Sequence, residues 1–309
     1  MPSPKKTVLI VTFSQGGPFV WAQNLAKHLQ KNGYAVTVIW GRKAYFKQMF
    51  RRYDIVHSCV PVPNLLCKKY ILTIHGNFKA EKHLGRFFFP LIIKQADFVT
   101  TPSNFLKKTL GIKKAIVIPN GVDIPETPKA IHDLDPKNPK LGILTNFNFP
   151  KKADGTVRLA RIVEAVFPEA TLVIGGNGVF FEAYKKTILE IHADTEFLGY
   201  CEKEDLFNRI DIFAYYSMLD NQPLAVLEAM ASGLPVVSNV VGSIEEILTG
   251  RTEGYIARTD ADYQAILKKF IASKEERERG GAEAIQLAQN FSWTGITAQY
   301  IEIYNKQKL

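Results

Sequence analysis

Two acids in the second half of the chain form its strongest chemical pattern. In YYSMLDNQPLAVLEAMASGLPVVSNVVGSIEEI, Asp220 falls in a turn-forming segment and Pro223 suits the first turn of a helix. Glu228 then falls one to two turns inside that helix. The helix start, across Asn221, Gln222, Pro223 and Leu224, offers backbone amides that can hold an anion. A carboxylate on either side can accept from sugar or ribose hydroxyls while the amides hold phosphate. A plainer account stays open, in which Asp220 caps the helix and Glu228 is a solvated helical acid. Against it, Glu228 is embedded in LEAMASGLPVV, and an acid in so apolar a setting needs a partner.

Other segments could serve the same chemistry. Gly16 and Gly17 follow an apolar run and precede an amphipathic one, so backbone there can approach phosphate or sugar closely, though a tight turn also wants glycine. LTIHG places His75 where a strand should end, a position also common for a loop or capping histidine. Gly175, Gly176 and Gly178 in VIGGNGVFFEAY, and Gly199 with Tyr200 in FLGYCEKEDL, follow strand-like runs but are nonspecific as isolated glycine loops.

The elements that must position these residues alternate. Short β-branched runs at 8–12, 35–40, 54–57, 71–75, 98–101 and 115–118 are separated by longer amphipathic segments, the rhythm of a parallel sheet covered by helices. The rhythm restarts at 141–145, 171–175, 196–198, 211–215, 235–238 and 254–256. Between the series, DIPETPKAIHDLDPKNPK carries Pro125, Pro128, Pro136 and Pro139 and reads as a linker. The expected architecture is α/β, with two Rossmann-like doubly wound parallel-sheet domains facing across a cleft, spanning 1–125 and 126–292. Ser292 caps a last helix over 293–309.

At 309 residues, 46% hydrophobic and 22% charged, the chain suits two soluble cores. No uninterrupted apolar run approaches about 18 residues, which excludes a membrane-spanning helix. Cys59, Cys67 and Cys201 show neither metal spacing nor a disulfide framework, and a cytoplasmic location is expected. The Asp-x-Asp triplets at 133–135 and 260–262 read as solvated turn or capping acids, so no metal is expected. A formal charge of +9 favours anionic partners. In KAEKHLGRFFFPLIIK, Lys79, Lys82, Arg86 and Lys94 mix with Phe87, Phe88, Phe89, Leu91 and Ile92. That stretch reads as a core helix with a solvated rim, or as a peripheral contact with an anionic membrane at its inner face. Dispersed basic residues without a recognisable module argue against nucleic acid.

The 217–235 segment resembles the signature of retaining glycosyltransferase family 4, the glycosyl transferases group 1 of the GT-B fold. Ser217, Pro223, Glu228, Ala229, Gly233 and Pro235 stand at the expected places, and further matches extend over nearly the whole chain. The resemblance implies a nucleoside diphosphate sugar as donor substrate, no required cofactor and a hydroxyl acceptor that is a glycan, lipid-linked or small molecule. It implies that Glu228 binds the ribose, Asp220 (where the family usually has Glu) the donor sugar, and His75 a place near that sugar. ILTNFNFPKKADG resembles the phosphate-anchoring segment, with Lys151 or Lys152 in the lysine role and Asn146 where an arginine is usual. Gly199 and Tyr200 fall beside the nucleobase in the family, and the last helix resembles one that crosses back to the first domain. IPNGVD, with Asn120 and Gly121, matches the exit from the first domain and reads as structural. Two rivals stand beside transfer: a nucleotide-sugar epimerase on the same fold, and a non-catalytic nucleotide-sugar or glycan-binding protein.

Overall fold

The computed structural model describes residues 6–13, 17–48, 50–62, 66–79, 85–127, 134–135, 137–250 and 255–307. Gly16, Lys82 and Asp133 lie outside them, as does the side chain of Arg86. The chain divides into two compact units, one formed by 1–121 with 291–309 and the other by 122–290.

The N-terminal unit runs β1 (Thr7–Thr12), α1 (Gly17–Lys31), β2 (Ala35–Trp40), α2 (Arg42–Gln48), β3 (Tyr53–Ser58) and β4 (Cys67–Thr73). It continues with α3 (Gly85–Gln95), β5 (Phe98–Thr101), α4 (Asn104–Leu110) and β6 (Ile116–Val117). All six strands are parallel in the order β2-β1-β3-β4-β5-β6. Strand β4 begins four residues earlier than the apolar run suggests, because Cys67 and Lys69 pair with Tyr53 and Ile55 of β3, and His75 falls beyond its end.

The C-terminal unit runs β7 (Lys140–Leu144), α5 (Pro150–Val166), β8 (Thr171–Gly175), α6 (Phe181–Ile191), β9 (Thr195–Gly199) and α7 (Lys203–Phe207). Then follow β10 (Ile212–Tyr215), α8 (Leu224–Ala231), β11 (Val236–Asn239), α9 (Ile244–Ile247), β12 (Ile256–Ala257), α10 (Asp260–Ala272) and α11 (Lys274–Ala288). Its parallel sheet has the order β12-β11-β10-β7-β8-β9. The chain winds outward from β7 in one direction and returns to start again beside it at β10. This reversal opens a crevice at the carboxyl ends of β7 and β10, the place where doubly wound sheets take ligands. The two parallel sheets with flanking helices make the α/β, doubly wound architecture expected from the alternation.

The last helix, α12 (Trp293–Asn305), belongs to the N-terminal unit. Its Trp293, Ile296, Tyr300, Ile303 and Tyr304 join α1 in a core on one face of the first sheet. Burying this apolar stripe is the main stabilisation of the contact, and polar bonds fix its register. The Tyr304 hydroxyl lies 2.7 Å from His57 Nδ1, and His57 Nε2 lies 2.6 Å from Thr73 Oγ1. At the other end, Lys69 Nζ donates to the carbonyls of Ile303 (3.2 Å) and Tyr304 (2.6 Å), the open acceptors of a helix C-terminus. Gly121 is required here, since a Cβ would stand 2.4 Å from the Trp293 indole.

Candidate functional site

The loop after β10 and the start of α5 meet at the crevice of the C-terminal unit. Helix α5 can come this close only because residue 155 is glycine: a Cβ there would stand 2.5 Å from the Tyr216 carbonyl and 2.6 Å from Ser217 Cα. The approach sets Lys152 Nζ 2.6 Å from Asp220 Oδ2, with the side chains 25% and 12% exposed. The same oxygen accepts from the Tyr215 hydroxyl at 2.7 Å, while Oδ1 accepts from the Asn221 amide at 2.9 Å. Asp220 therefore does not cap α8, whose N-cap is Pro223. Its carboxylate is engaged in orienting Lys152 and the 220–223 turn.

Glu228 lies in the second turn of α8, a helix whose Val226, Leu227, Ala229, Met230 and Ala231 are all buried. It is not a merely solvated acid. Its partner is Lys203, at the start of α7, 3.3 Å from Oε1. Burial pushes the Glu228 carboxyl above its ordinary value, and the Lys203 charge opposes that rise. Between the two carboxylate–lysine pairs, α8 begins at Leu224, where the first amides have no intrahelical acceptor. Gln222 just before it is buried and Asn221 half-buried. Gly242 closes over this turn: its φ is +55°, and a Cβ would stand 2.6 Å from the Asp220 carbonyl. The Asn221 carbonyl in turn accepts from the Ser243 amide at 2.8 Å.

The β7–α5 loop is shaped by its own polar groups. Asn146 Oδ1 accepts from the Asn148 amide at 2.9 Å, and Asn148 Oδ1 accepts from the Val179 amide at 3.0 Å. Asn146 is therefore a turn-forming residue here, and it is exposed. Lys151 is exposed too, its carbonyl accepting from the Met218 amide at 3.1 Å. Gly176 and Gly178 serve packing of this loop against the next one. Gly176 has φ +129°, and a Cβ would lie 1.9 Å from the Thr145 carbonyl oxygen; at Gly178 it would lie 2.3 Å from the Phe147 carbonyl carbon. Gly199 has φ +66°, its carbonyl oxygen accepts from the Gly176 amide at 2.7 Å, and it is followed by Tyr200, 84% exposed.

In the N-terminal unit, Gly17 opens α1 with open space around its α-carbon. His75 is half-buried beyond β4, its ring edge-on to Trp21 at 4.7 Å and its side chain hydrogen-bonded to Asn120. Burial pushes the imidazole down to about 4, so it is neutral near pH 7 and can both donate and accept. Asn120, expected to be structural alone, thus also holds this histidine.

Sequence reasoning did not find Lys203, Tyr215 or Asn239. Asn239 clamps the 216–220 loop, its Oδ1 accepting from the Ser217 amide at 3.0 Å and its Nδ2 donating to the Ser217 carbonyl at 2.9 Å. The only signal available was the need of Glu228 and Asp220 for partners. The second acidic triplet also divides: Asp262 completes a capping box with Thr259, whereas Asp260, half-buried, is paired with Arg158 and with the Tyr216 hydroxyl (2.9 Å). Among the described residues, no group of three or more His, Cys, Asp or Glu could hold a metal ion, and no helix is long and apolar enough to cross a membrane.

Known proteins share this fold. The sucrose-phosphate synthase of Thermosynechococcus elongatus superposes over 97% of this chain and 98% of its own, with a TM-score of 0.79 at 15% identity. Anabaena Alr3699/HepE, in complex with UDP and glucose, superposes over 96% and 99% with a TM-score of 0.78 at 17% identity. In sequence, the chain is 30% identical over 165 residues to the GDP-mannose-dependent monoacylated alpha-(1-6)-phosphatidylinositol monomannoside mannosyltransferase of Corynebacterium glutamicum. That match covers 47% of this chain and 43% of the mannosyltransferase, so less than half of the relative's length is spanned. Glycogen synthase of Mycobacterium tuberculosis matches at 23% identity over 81% of this chain and 66% of its own. Residues 40–126 match Glycosyltransferase Family 4. Residues 126–287, more than half of the chain and the whole of the Lys152–Asp220–Glu228 region, match the family described as Glycosyl transferases group 1, and to that family the chain belongs.

Proposed function

We propose that the protein transfers a sugar from a nucleoside diphosphate sugar to a hydroxyl acceptor with retention of anomeric configuration and without a divalent ion. The observation that carries this reading is the start of α8, flanked by the Lys152–Asp220 and Lys203–Glu228 pairs at the crevice between β7 and β10. The amides of Leu224 and Ala225 and the ammonium of Lys152 would hold the diphosphate, with Asn221 and Gln222 shaping the approach. Glu228 would accept from the ribose hydroxyls, and Tyr200 would offer its exposed ring to the base beside Gly199. On the N-terminal unit, His75 would contact the donor sugar, with Gly16 and Gly17 lending backbone amides.

As the bond from the anomeric carbon to the diphosphate breaks, the acceptor oxygen forms a bond on the same face. The departing phosphate oxygen takes the acceptor's proton. Lys152 and the α8 amides stabilise the charge that builds on the leaving group; one such donor typically contributes about a hundredfold in rate or more. A lipid-linked acceptor would bring the protein into peripheral contact with an anionic membrane through the 79–94 stretch, on the cytoplasmic side.

Mass-spectrometric screening against a panel of nucleotide sugars tests the reading, with Glu228→Ala alongside. Donor-selective binding and diphosphate release, both abolished by Glu228→Ala and unaffected by a chelator, are expected. An inverted product, or turnover only with added metal, would overturn retention or metal independence. One observation favours a non-catalytic binding protein: Asn146 supplies no cation and is committed to its own turn. Binding without any diphosphate release would select that alternative.

A further inference from the structure

The basic residues, expected to be dispersed, are instead concentrated relative to acids in one unit. Residues 1–121 with 291–309 hold 21 Lys and Arg against 4 Asp and Glu, a formal charge of +17; residues 122–290 hold 18 against 26, a charge of −8. Within the N-terminal unit, helices α2, α3 and α4 bury Tyr45, Phe89, Ile92, Leu106 and Leu110 in one core on one face of the sheet. The opposite face is covered by α1 and α12.

The outward sides of α2 and α3 are unusual for helices already packed. Helix α2 points Tyr45 inward, yet Phe46 is 60% exposed, and Phe50, in the turn past the helix end, is 77% exposed. On α3, Phe87, Phe88 and Leu91 are all more than half exposed. Around the first pair, Arg42, Lys43, Lys47, Arg51 and Arg52 are exposed, and no acid occurs between Gly41 and Tyr53. Isolated exposed apolar residues need no explanation, but five large ones on two helices and the turn that follows one of them, within a strongly cationic unit, do.

We propose that the α2–α3 face of the N-terminal unit is a docking surface for an anionic lipid bilayer, with Phe46, Phe50, Phe87, Phe88 and Leu91 entering the headgroup region and the α2 cations meeting lipid phosphates. The charge favours an anionic surface, and the aromatic and aliphatic side chains gain from a bilayer but not from a phosphate backbone. An anionic surface attracts the +17 unit and repels the −8 unit, so the same field that holds the protein also orients it. Helix α3 follows the carboxyl end of β4, the edge of the sheet where ligands enter, and carries Phe87, Phe88 and Leu91 in its first two turns, whereas Phe50, Arg51 and Arg52 precede the amino end of β3. The α3 end of the surface would present a lipid-linked acceptor, the one point at which the inference rests on the proposed function.

The test is co-sedimentation of the full chain with zwitterionic vesicles and with vesicles in which about a third of the lipid is anionic, from about 0.05 to 0.5 M salt. Binding to the anionic vesicles alone, weakening with salt, is expected. Arg51→Gln with Arg52→Gln should weaken partitioning roughly thirtyfold. Phe46→Ser with Phe50→Ser should weaken it at least about tenfold. Removing two exposed cations from the other unit, Arg161→Gln with Lys268→Gln, should leave it unchanged or only slightly weaker. Absence of binding at low salt by protein with an unaltered circular dichroism spectrum would overturn the inference. So would binding that ignores the α2 variants, or RNA binding that competes fully and survives the Phe46→Ser, Phe50→Ser change. Glu228→Ala should bind vesicles like the parent, so a failed donor site and a failed membrane surface give different results.

Discussion

Asp220 and Lys152 offer a test of how the site is built. Family resemblance assigns Asp220 to the donor sugar, whereas its carboxylate already accepts from Lys152, Tyr215 and the Asn221 amide and is 12% exposed. If Asp220 acts by holding Lys152, the two residues form one unit and their effects on donor binding cannot add. Lys152→Met removes a charge-assisted bond to phosphate worth about 1.5–3 kcal/mol, or roughly 10- to 150-fold in affinity. Asp220→Asn leaves the lysine in place but releases its side chain; reordering it on binding costs about 1–2 kcal/mol, a loss of roughly 5- to 30-fold. The double variant should bind no worse than Lys152→Met alone. Isothermal titration calorimetry with the nucleoside diphosphate selected by the donor screen measures all three. Losses that sum in the double variant to within about 0.5 kcal/mol would refute the reasoning and return Asp220 to direct contact with the donor.

Gly176→Ala should destabilise the fold by about 2–4 kcal/mol, since a Cβ would meet the Thr145 carbonyl and the backbone sits at φ +129°; an unchanged urea midpoint would contradict the packing described. Acid should weaken the N-terminal unit. Burial holds His57 down to about 3 and His75 to about 4 against an ordinary 6.5, so below pH 6.5 the unfolded chain binds more protons and stability falls with pH. For His57 alone the slope approaches about 1.4 kcal/mol per pH unit, and tryptophan-detected urea unfolding that is flat between about pH 7 and 5 would contradict it. Tyr304→Phe removes the hydroxyl bonded to His57 and should cost about 1–2 kcal/mol in the same measurement. Glu228 titrates above its ordinary value, so donor affinity should decline as pH falls through that raised pKa, a decline that Glu228→Gln should abolish.

The alternation of β-branched and amphipathic runs determined the fold by itself. A parallel strand buried on both faces must be continuously apolar, and a covering helix must be amphipathic, so each strand segment announces itself locally. The acid, proline and acid at 220, 223 and 228 were legible for the same reason, because turn and helix-start preferences act over a few residues. Long-range pairing decided the rest. Nothing local to Glu228 names Lys203, and nothing near Asp220 names Lys152, because those contacts depend on which strands lie side by side and on a glycine at 155 that lets α5 close. Gly176 and Gly178 carry the same lesson: they read as nonspecific glycine loops in sequence and are spacers between two loops in space. The concentration of positive charge was present in the sequence throughout, but only tertiary structure joined 291–309 to the first 121 residues and placed α2 and α3 on one face, with their aromatic side chains toward solvent.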